Sequence, residues 1–167
     1  MIFRLSHKLG AKIKAGILPT LPLDQNPLAD WSAHLFVANR VQYILLSNTK
    51  SLYSLVLPGK GITTTSRFID DALSSMREFM EADGFEFAFG KLIAPACGSV
   101  QFAMALDRSV TGSISEMIYD AACYLEEGRL SLFRISARLN ERPMSALNPK
   151  RNQYGFPREV FAALAKV

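Results

Sequence analysis

The sequence predicts an α+β fold, a mostly antiparallel sheet packed by three to five helices. Apolar and polar residues alternate in short runs over residues 32–57, near 85–89 and near 100–106, as they do in half-buried strands. Elsewhere apolar residues recur at three- and four-residue steps, the period of an amphipathic helix. Because the predicted strands are grouped and do not alternate regularly with helices, an α+β arrangement is favoured over repeated βαβ units.

The first half of the chain is predicted to hold most of the sheet. Residues Ile2 to Leu5 predict a short strand, and a basic helix is expected to start near Ser6. Residues 18–30 hold three prolines and no regular period, which is typical of a connecting loop. An antiparallel meander follows over residues 32–57, and its third strand, apolar on both faces, is placed in the interior of the sheet.

The helices are predicted mainly in the second half. An apolar stripe over residues 68–80 predicts one helix. A longer stripe over residues 114–125 predicts the clearest helix, which begins near Ser113 and ends at Gly128, where a left-handed residue is favoured. Two shorter helices are expected at residues 132–139 and from Pro157.

Length and composition bound the class of protein. A chain of 167 residues has the size of one domain, and we expect a single domain over residues 1–167. The composition, 49% hydrophobic and 20% charged, is typical of a globular protein. Two cysteines are too few for a disulfide scaffold and indicate free thiols in the cytoplasm. Since no stretch approaches the roughly 18 apolar residues of a membrane span, no membrane partner is expected.

Four short stretches, taken together, resemble a family of small bacterial proteins known only as a domain of unknown function. They are Trp31-x-Ala33-x-Leu35, residues 47–59 (SNTKSLYSLVLPG), residues 107–113 (DRSVTGS) and residues 139–147 (LNERPMSAL). They are close to the family patterns WHANL, TNxxTLYSxxxPG, NRSVLGSMND and LNxxPMSxL. The resemblance implies a bacterial, single-domain protein and carries no established activity. The chain departs from the pattern at several polar positions, among them Ser32, His34 and Asp107, so no role is transferred to them.

The stretch from Arg108 to Ser113 has two interpretations. Ser113 and Glu116 fit a capping box, in which a hydroxyl and a carboxylate bond free N–H groups at a helix start. The same helix start is a candidate anion site, because its N–H groups and partial positive charge attract anions. In that interpretation Arg108, Ser109, Gly112 and Ser113 hold a phosphate or carboxylate.

A second candidate surface is the basic C-terminal third of the chain. Arg134 and Arg138 lie one helical turn apart, and Arg151 follows close to two aromatic residues. This mixture fits nucleic acid by phosphate neutralisation and base stacking. A solvated helix surface explains the same residues, and the net charge of +4 permits either interpretation.

No catalytic residues, metal site or cofactor are predicted. The two histidines, His7 and His34, are far apart in sequence and lack metal-ligand spacing with either cysteine. The leading hypothesis is a non-enzymatic binding protein for an acidic partner, protein or nucleic acid. The alternative is an enzyme or binding protein for a small molecule that uses the anion site near residue 113. Self-association through an exposed strand edge is the third hypothesis.

Overall fold

A five-stranded mixed sheet organises the fold. The computed structural model describes residues 1–147 and 154–166. The strands are β1 (Ile2–Leu5), β2 (Asp30–Ala38), β3 (Val41–Asn48), β4 (Ser54–Pro58) and β5 (Gln101–Ala103), and their order in the sheet is β4-β3-β2-β1-β5. The strands β2, β3 and β4 form the predicted antiparallel meander. The strand β1 lies between β2 and β5 and pairs in parallel with both, so the prediction of a mostly antiparallel sheet is wrong in this half.

Helices cover both faces of the sheet, which confirms the α+β class. They are α1 (His7–Lys12), α2 (Thr65–Ala82), α3 (Glu86–Ala88), α4 (Arg108–Glu127), α5 (Leu132–Asn140) and α6 (Pro157–Ala165), one more within the described residues than the predicted maximum. The larger apolar cluster joins one face of the sheet to α1, α2 and α6. The smaller cluster joins the opposite face to α4 and α5.

The alternation of side chains along each strand divides the core between these two clusters. Trp31 and Leu46 point to the larger cluster, whereas Phe36 and Leu45 point to the smaller one. Both clusters therefore share one sheet. This arrangement supports the prediction of one domain over residues 1–167, which stays a prediction.

The strand predicted near residues 85–89 is wrong. The helix α3 occupies this region and continues as a π-helical turn, Phe89–Ile93. The side chains that pack on the larger cluster here are Phe85, Ala88, Phe89, Leu92 and Ile93, a helical spacing, and Phe87 is 68% exposed. The alternation of three phenylalanines is therefore misleading as a strand pattern, because only Phe85 and Phe89 face the core. The strand predicted near 100–106 exists but is limited to Gln101–Ala103.

The strand β4 lies at an edge of the sheet and not in its interior. Several of its outer backbone groups are nevertheless paired, because the side chain of Asn140 on α5 accepts from the Ser54 N–H at 2.7 Å and donates to the Ser54 carbonyl at 2.8 Å. The hydroxyl of Ser136 accepts from the Val56 N–H at 2.9 Å. Helix α5 therefore occupies this edge, and strand pairing with a second copy of the chain would have to displace it.

The predicted loop at residues 18–30 is held to the sheet by a buried ion pair. Residues 18–26 form no helix or strand, and a 3₁₀ turn, Pro27–Ala29, leads into β2. Arg4 on β1 donates to both carboxylate oxygens of Asp30, at 2.8 and 2.7 Å, and to the carbonyls of Leu21 and Pro22. The irregular segment is thus fixed by a side chain of the central parallel strand.

Candidate functional site

The chain leaves the two adjacent parallel strands β1 and β5 towards opposite faces of the sheet. After β1 it enters α1, which packs with Leu9 and Ile13 on the larger cluster. After β5 it enters α4, which packs with Ile114 and Met117 on the smaller cluster. Where neighbouring parallel strands diverge in this way, their carboxyl ends leave a crevice, which is the usual ligand position in sheets of this kind.

A cavity of about 680 Å³ occupies this position. That volume lies in the range of roughly 300–1,000 Å³ that is typical of small-molecule sites. Its wall is largely apolar and includes Leu5 at the end of β1, Leu18 from the loop, and Met104 and Ala105 after β5. We call this cavity the crevice.

Both histidines of the chain line the crevice. The last residue of β1, Leu5, pairs with Ala33, so His34 is the first residue of β2 beyond the end of β1. Burial lowers the pKa of His34, which favours the neutral imidazole at pH 7, a form with one donor and one acceptor nitrogen. His7 is the exposed first residue of α1. Residues distant in sequence therefore meet here because β1 is parallel to β2.

Ser6 fixes the position of α1 beside the crevice. Its hydroxyl accepts from the Leu9 N–H at 3.3 Å, which caps α1, and from the Leu35 N–H at 3.4 Å, which joins the cap to β2. The predicted strand and the helix start near Ser6 are confirmed. The cap at Ser6 thus fixes the start of α1, and with it His7, beside the crevice.

The crevice has a cationic and no anionic lining. Lys14, just after α1, has a left-handed backbone (φ 57°) and an exposed side chain that contributes to the wall. No Asp or Glu contributes to the wall, and within residues 1–147 and 154–166 Lys14 forms no ion pair. Thr111 of α4 adds a hydroxyl on the opposite side. The site therefore favours a neutral or acidic molecule over a cation.

Helix α4 begins five residues before the predicted start near Ser113. Its cap is Asp107, whose carboxylate accepts from the Val110 N–H at 2.9 Å. The prediction of a capping box at Ser113 and Glu116 is therefore wrong. The reason is that the carboxylate of Asp107 already caps the helix, so Gly112 and Ser113 lie within α4 and not at its start.

The four residues of the predicted anion site do not point in one direction. Arg108, Ser109 and Gly112 are exposed on the first two turns of α4, whereas Ser113 is buried towards the sheet. Their neighbour Thr111 lines the crevice, and the four predicted residues do not. Anion binding at Arg108, Ser109, Gly112 and Ser113 stays a prediction. The helix start near Ser113, which motivates it, is not present, because α4 starts at Arg108.

The predicted basic patch is exposed in part. Arg134 and Arg138 are exposed one turn apart on α5, and the Arg138 guanidinium lies 5.4 Å from the ring centre of Tyr124. Arg151 lies outside the described residues. Two other basic residues of this region are paired with acids elsewhere in the fold, Arg142 with Glu116 and Asp120, and Arg158 with Asp83.

The polar residues of one quoted stretch, residues 47–59, have structural contacts. Asn48 donates to the carbonyls of Pro27 and Asp30, at 2.8 and 3.1 Å, and accepts from both the N–H and the hydroxyl of Ser51. Tyr53 stacks on Phe161 and donates to Asp83 at 2.7 Å. These side chains hold turns and pack helices on the sheet, and they lie outside the crevice wall.

Sequence reasoning missed the residues that form the crevice, namely His7, Lys14, His34 and Thr111. They come from three separate parts of the chain, and their meeting depends on the parallel pairing of β1. One signal was present: residues 1–23 contain several cations and no acid, which marks the N-terminal segment as a basic surface.

Neither a metal cluster nor a membrane-crossing helix is found in the described part of the chain. Residues 1–147 and 154–166 contain no group of three or more His, Cys, Asp or Glu side chains placed to bind one ion. None of the helices within those residues has both the length and the apolar character needed to cross a membrane.

Comparison with known proteins gives a family and no activity. No curated protein and no solved structure matches the chain. A protein-family model described as a domain of unknown function (DUF6933) matches residues 2–160, nearly the whole chain. The expected membership in a family known only as a domain of unknown function is therefore confirmed: this chain belongs to the DUF6933 family.

Proposed function

We propose that this protein binds a small molecule with an apolar body and an acidic group in the crevice. The observation that carries the proposal is the location of the crevice, where β1 and β5 lead to opposite faces of the sheet. Its volume, apolar wall and cationic lining define the chemical class of the ligand. The proposal is a binding function, since within residues 1–147 and 154–166 no complete acid–base or nucleophilic arrangement supports a reaction.

The wall provides separate positions for the two parts of such a ligand. Leu5, Leu18 and Met104 contact the apolar body, whose burial supplies most of the affinity. The acidic group pairs with Lys14, and the neutral imidazole of His34 donates a hydrogen bond. The acidic group then lies on the α1 side of the crevice, whereas Thr111 of α4 contributes to the opposite wall.

A thermal-shift and calorimetry series tests this function. Decanoate, decyl phosphate and decanol share one apolar body and differ in the head group. We expect the two acids to raise the melting temperature more than the alcohol, because only they pair with Lys14. A ligand at about 100 times its dissociation constant stabilises the folded state by about 2.7 kcal/mol.

Two substitutions and one matched control separate the contributions. Lys14→Met removes the cation and is expected to weaken decanoate binding by roughly tenfold, while decanol binding stays the same. Ala11→Trp fills the crevice from an exposed position of α1 and blocks all three ligands. Lys8→Met, on the same helix but outside the wall, leaves binding unchanged. Equal losses in Lys14→Met and Lys8→Met, or no response to any of the three compounds, would contradict the proposal.

A second candidate function is binding of nucleic acid by the exposed surface of α5. The observation that favours it is the pair Arg134 and Arg138, exposed one turn apart, with Arg138 placed over Tyr124. A gel shift of single-stranded DNA that weakens with salt is the expected result, and the double substitution Arg134→Ala/Arg138→Ala should abolish it. Arg77→Ala, an exposed arginine of α2, is the control.

We also propose that the protein works in the bacterial cytoplasm. Its two cysteines, Cys97 and Cys123, are half-buried free thiols, which a reducing compartment preserves. A preparation from the native source, separated into cytoplasmic and periplasmic fractions, tests this location.

A further inference from the structure

An unusually exposed apolar residue stands at the mouth of the crevice. Ile17 is 98% exposed, although its neighbours Gly16 and Leu18 both line the crevice. The turn that presents it contains two left-handed residues, Lys14 (φ 57°) and Gly16 (φ 75°). The isoleucine is therefore carried at the tip of a defined turn that projects from the body of the protein.

Two further apolar side chains border the same mouth. Met104 is 51% exposed and Leu106 is 38% exposed, both in the segment between β5 and α4. The two sides of the mouth are joined, since the Met104 N–H donates to the Pro19 carbonyl at 2.9 Å. We call the three residues Ile17, Met104 and Leu106 the apolar rim.

The surroundings of the apolar rim are positively charged. Lys8 and Lys14 are exposed on the N-terminal side, and Arg108 is exposed at the start of α4. Asp107, next to Leu106 in sequence, uses its carboxylate to cap α4. Residues 1–23 contain no acid at all. The exposed apolar groups are thus set among cations and not among mixed charges.

We propose that the apolar rim docks on an anionic lipid surface. Apolar side chains flanked by Lys and Arg are what an interfacial membrane contact requires, because the former enter the headgroup boundary and the latter attract anionic lipid. A protein partner fits less well, since lysine is depleted in protein interfaces and aromatic residues are enriched there. Nucleic acid offers nothing that favours the burial of an isolated isoleucine.

This docking goes beyond the proposed ligand function and departs from the expectation of no membrane partner. It turns the crevice mouth towards the bilayer, where molecules with an apolar body and an acidic group dissolve. The docking itself needs no ligand, so vesicle binding and ligand binding succeed or fail independently.

Vesicle co-sedimentation of the full chain tests the inference. We expect binding to vesicles of phosphatidylcholine with about one third phosphatidylglycerol, and several-fold weaker binding to pure phosphatidylcholine, with a loss at high salt. Ile17→Ser should lower the partition coefficient by about tenfold. Lys14→Ser should lower it by about fivefold.

The control is Phe87→Ser, which removes another exposed apolar side chain, 68% exposed on α3 and outside the crevice wall. Because Ile17 and Phe87 are both exposed, unchanged melting temperatures are expected and verify folding. The inference is overturned if the wild type does not bind the anionic vesicles, or if Ile17→Ser and Phe87→Ser have equal effects. Self-association of the wild type that Ile17→Ser abolishes, without vesicle binding, would also overturn it in favour of a second copy of the chain.

Discussion

The buried ion pair between Arg4 and Asp30 gives the most quantitative prediction. Arg4 is 1% exposed and Asp30 is fully buried. The guanidinium makes two bonds to the carboxylate, at 2.8 and 2.7 Å, and donates to the carbonyls of Leu21, Pro22 and Met104. The substitution Arg4→Met keeps the apolar stem and removes all of these donors.

The expected loss of stability follows from the carboxylate that remains. In Arg4→Met the buried Asp30 keeps one donor, the Asp24 N–H at 3.0 Å. Removing one partner of a buried pair costs about 3–5 kcal/mol, because the other charge stays buried and unpaired. For a chain of this length each kcal/mol lowers the melting temperature by about 2–4 °C, so a decrease on the order of 10 °C is expected.

Urea unfolding followed by circular dichroism measures this loss, and two further variants define its cause. Arg67→Met breaks an exposed pair with Asp71 on α2 and should cost less than about 1 kcal/mol. Arg4→Met/Asp30→Leu removes the stranded charge and should be more stable than Arg4→Met alone. A loss in Arg4→Met no larger than that in Arg67→Met would refute the reasoning, as would a double variant that is no more stable than the single one.

Three other predictions follow from named contacts. Gly112→Ala should raise the free energy of unfolding by up to about 1 kcal/mol, because Gly112 lies inside α4 with open space around it. Gly128→Ala should lower it by about 1 kcal/mol, because Gly128 has φ 67°. Thermal unfolding of both variants tests the corrected helix start. Asn140→Ala should lower the free energy of unfolding in urea by about 3 kcal/mol, since it leaves the buried N–H and carbonyl of Ser54 unpaired. Ser145→Ala, at an exposed site, is the control. Burial, and then the bonded carboxylate of Asp83, raise the pKa of Tyr53 above its usual range. Only the unfolded state therefore releases this proton, and the free energy of unfolding falls above about pH 10. Between about pH 8 and about pH 11, urea unfolding should show a smaller loss of stability for Tyr53→Phe than for the wild type.

The sequence predicted the elements whose signals are local. The turn between β2 and β3 is made by Asn39 and Arg40, both with positive φ, where two polar residues interrupt the alternation. The end of α4 at Gly128 has φ 67°, as a C-terminal glycine requires. Helices α5 and α6 begin at Leu132 and Pro157, close to where their apolar stripes begin. Each of these features is decided by residues within one or two turns of chain.

The errors arose where distant residues decide the structure. The alternating phenylalanines at residues 85–89 form a helix because Phe85 packs edge-on against the stacked rings of Tyr53 and Phe161, from two other parts of the chain. The apolar strand β4 lies at an edge because Ser136 and Asn140, which follow their partners by 80 and 86 residues, bond its outer backbone. Local periodicity contains no information about such distant partners. It therefore could not predict the helix at residues 85–89 or the edge position of β4.

The parallel pairing of β1 is the feature of the sheet that matters most for function, and the prediction of a mostly antiparallel sheet did not contain it. If β1 ran antiparallel to β2, the chain would leave it at the opposite end of the sheet, and His7 would not approach His34. The parallel pairing is held by Arg4, which binds Asp30 at the start of β2. The same guanidinium holds the carbonyl of Met104, a residue of the crevice wall. One buried side chain therefore fixes both the strand order and the wall of the proposed ligand site, so substitutions of Arg4 should weaken decanoate binding even at temperatures where the variant remains folded.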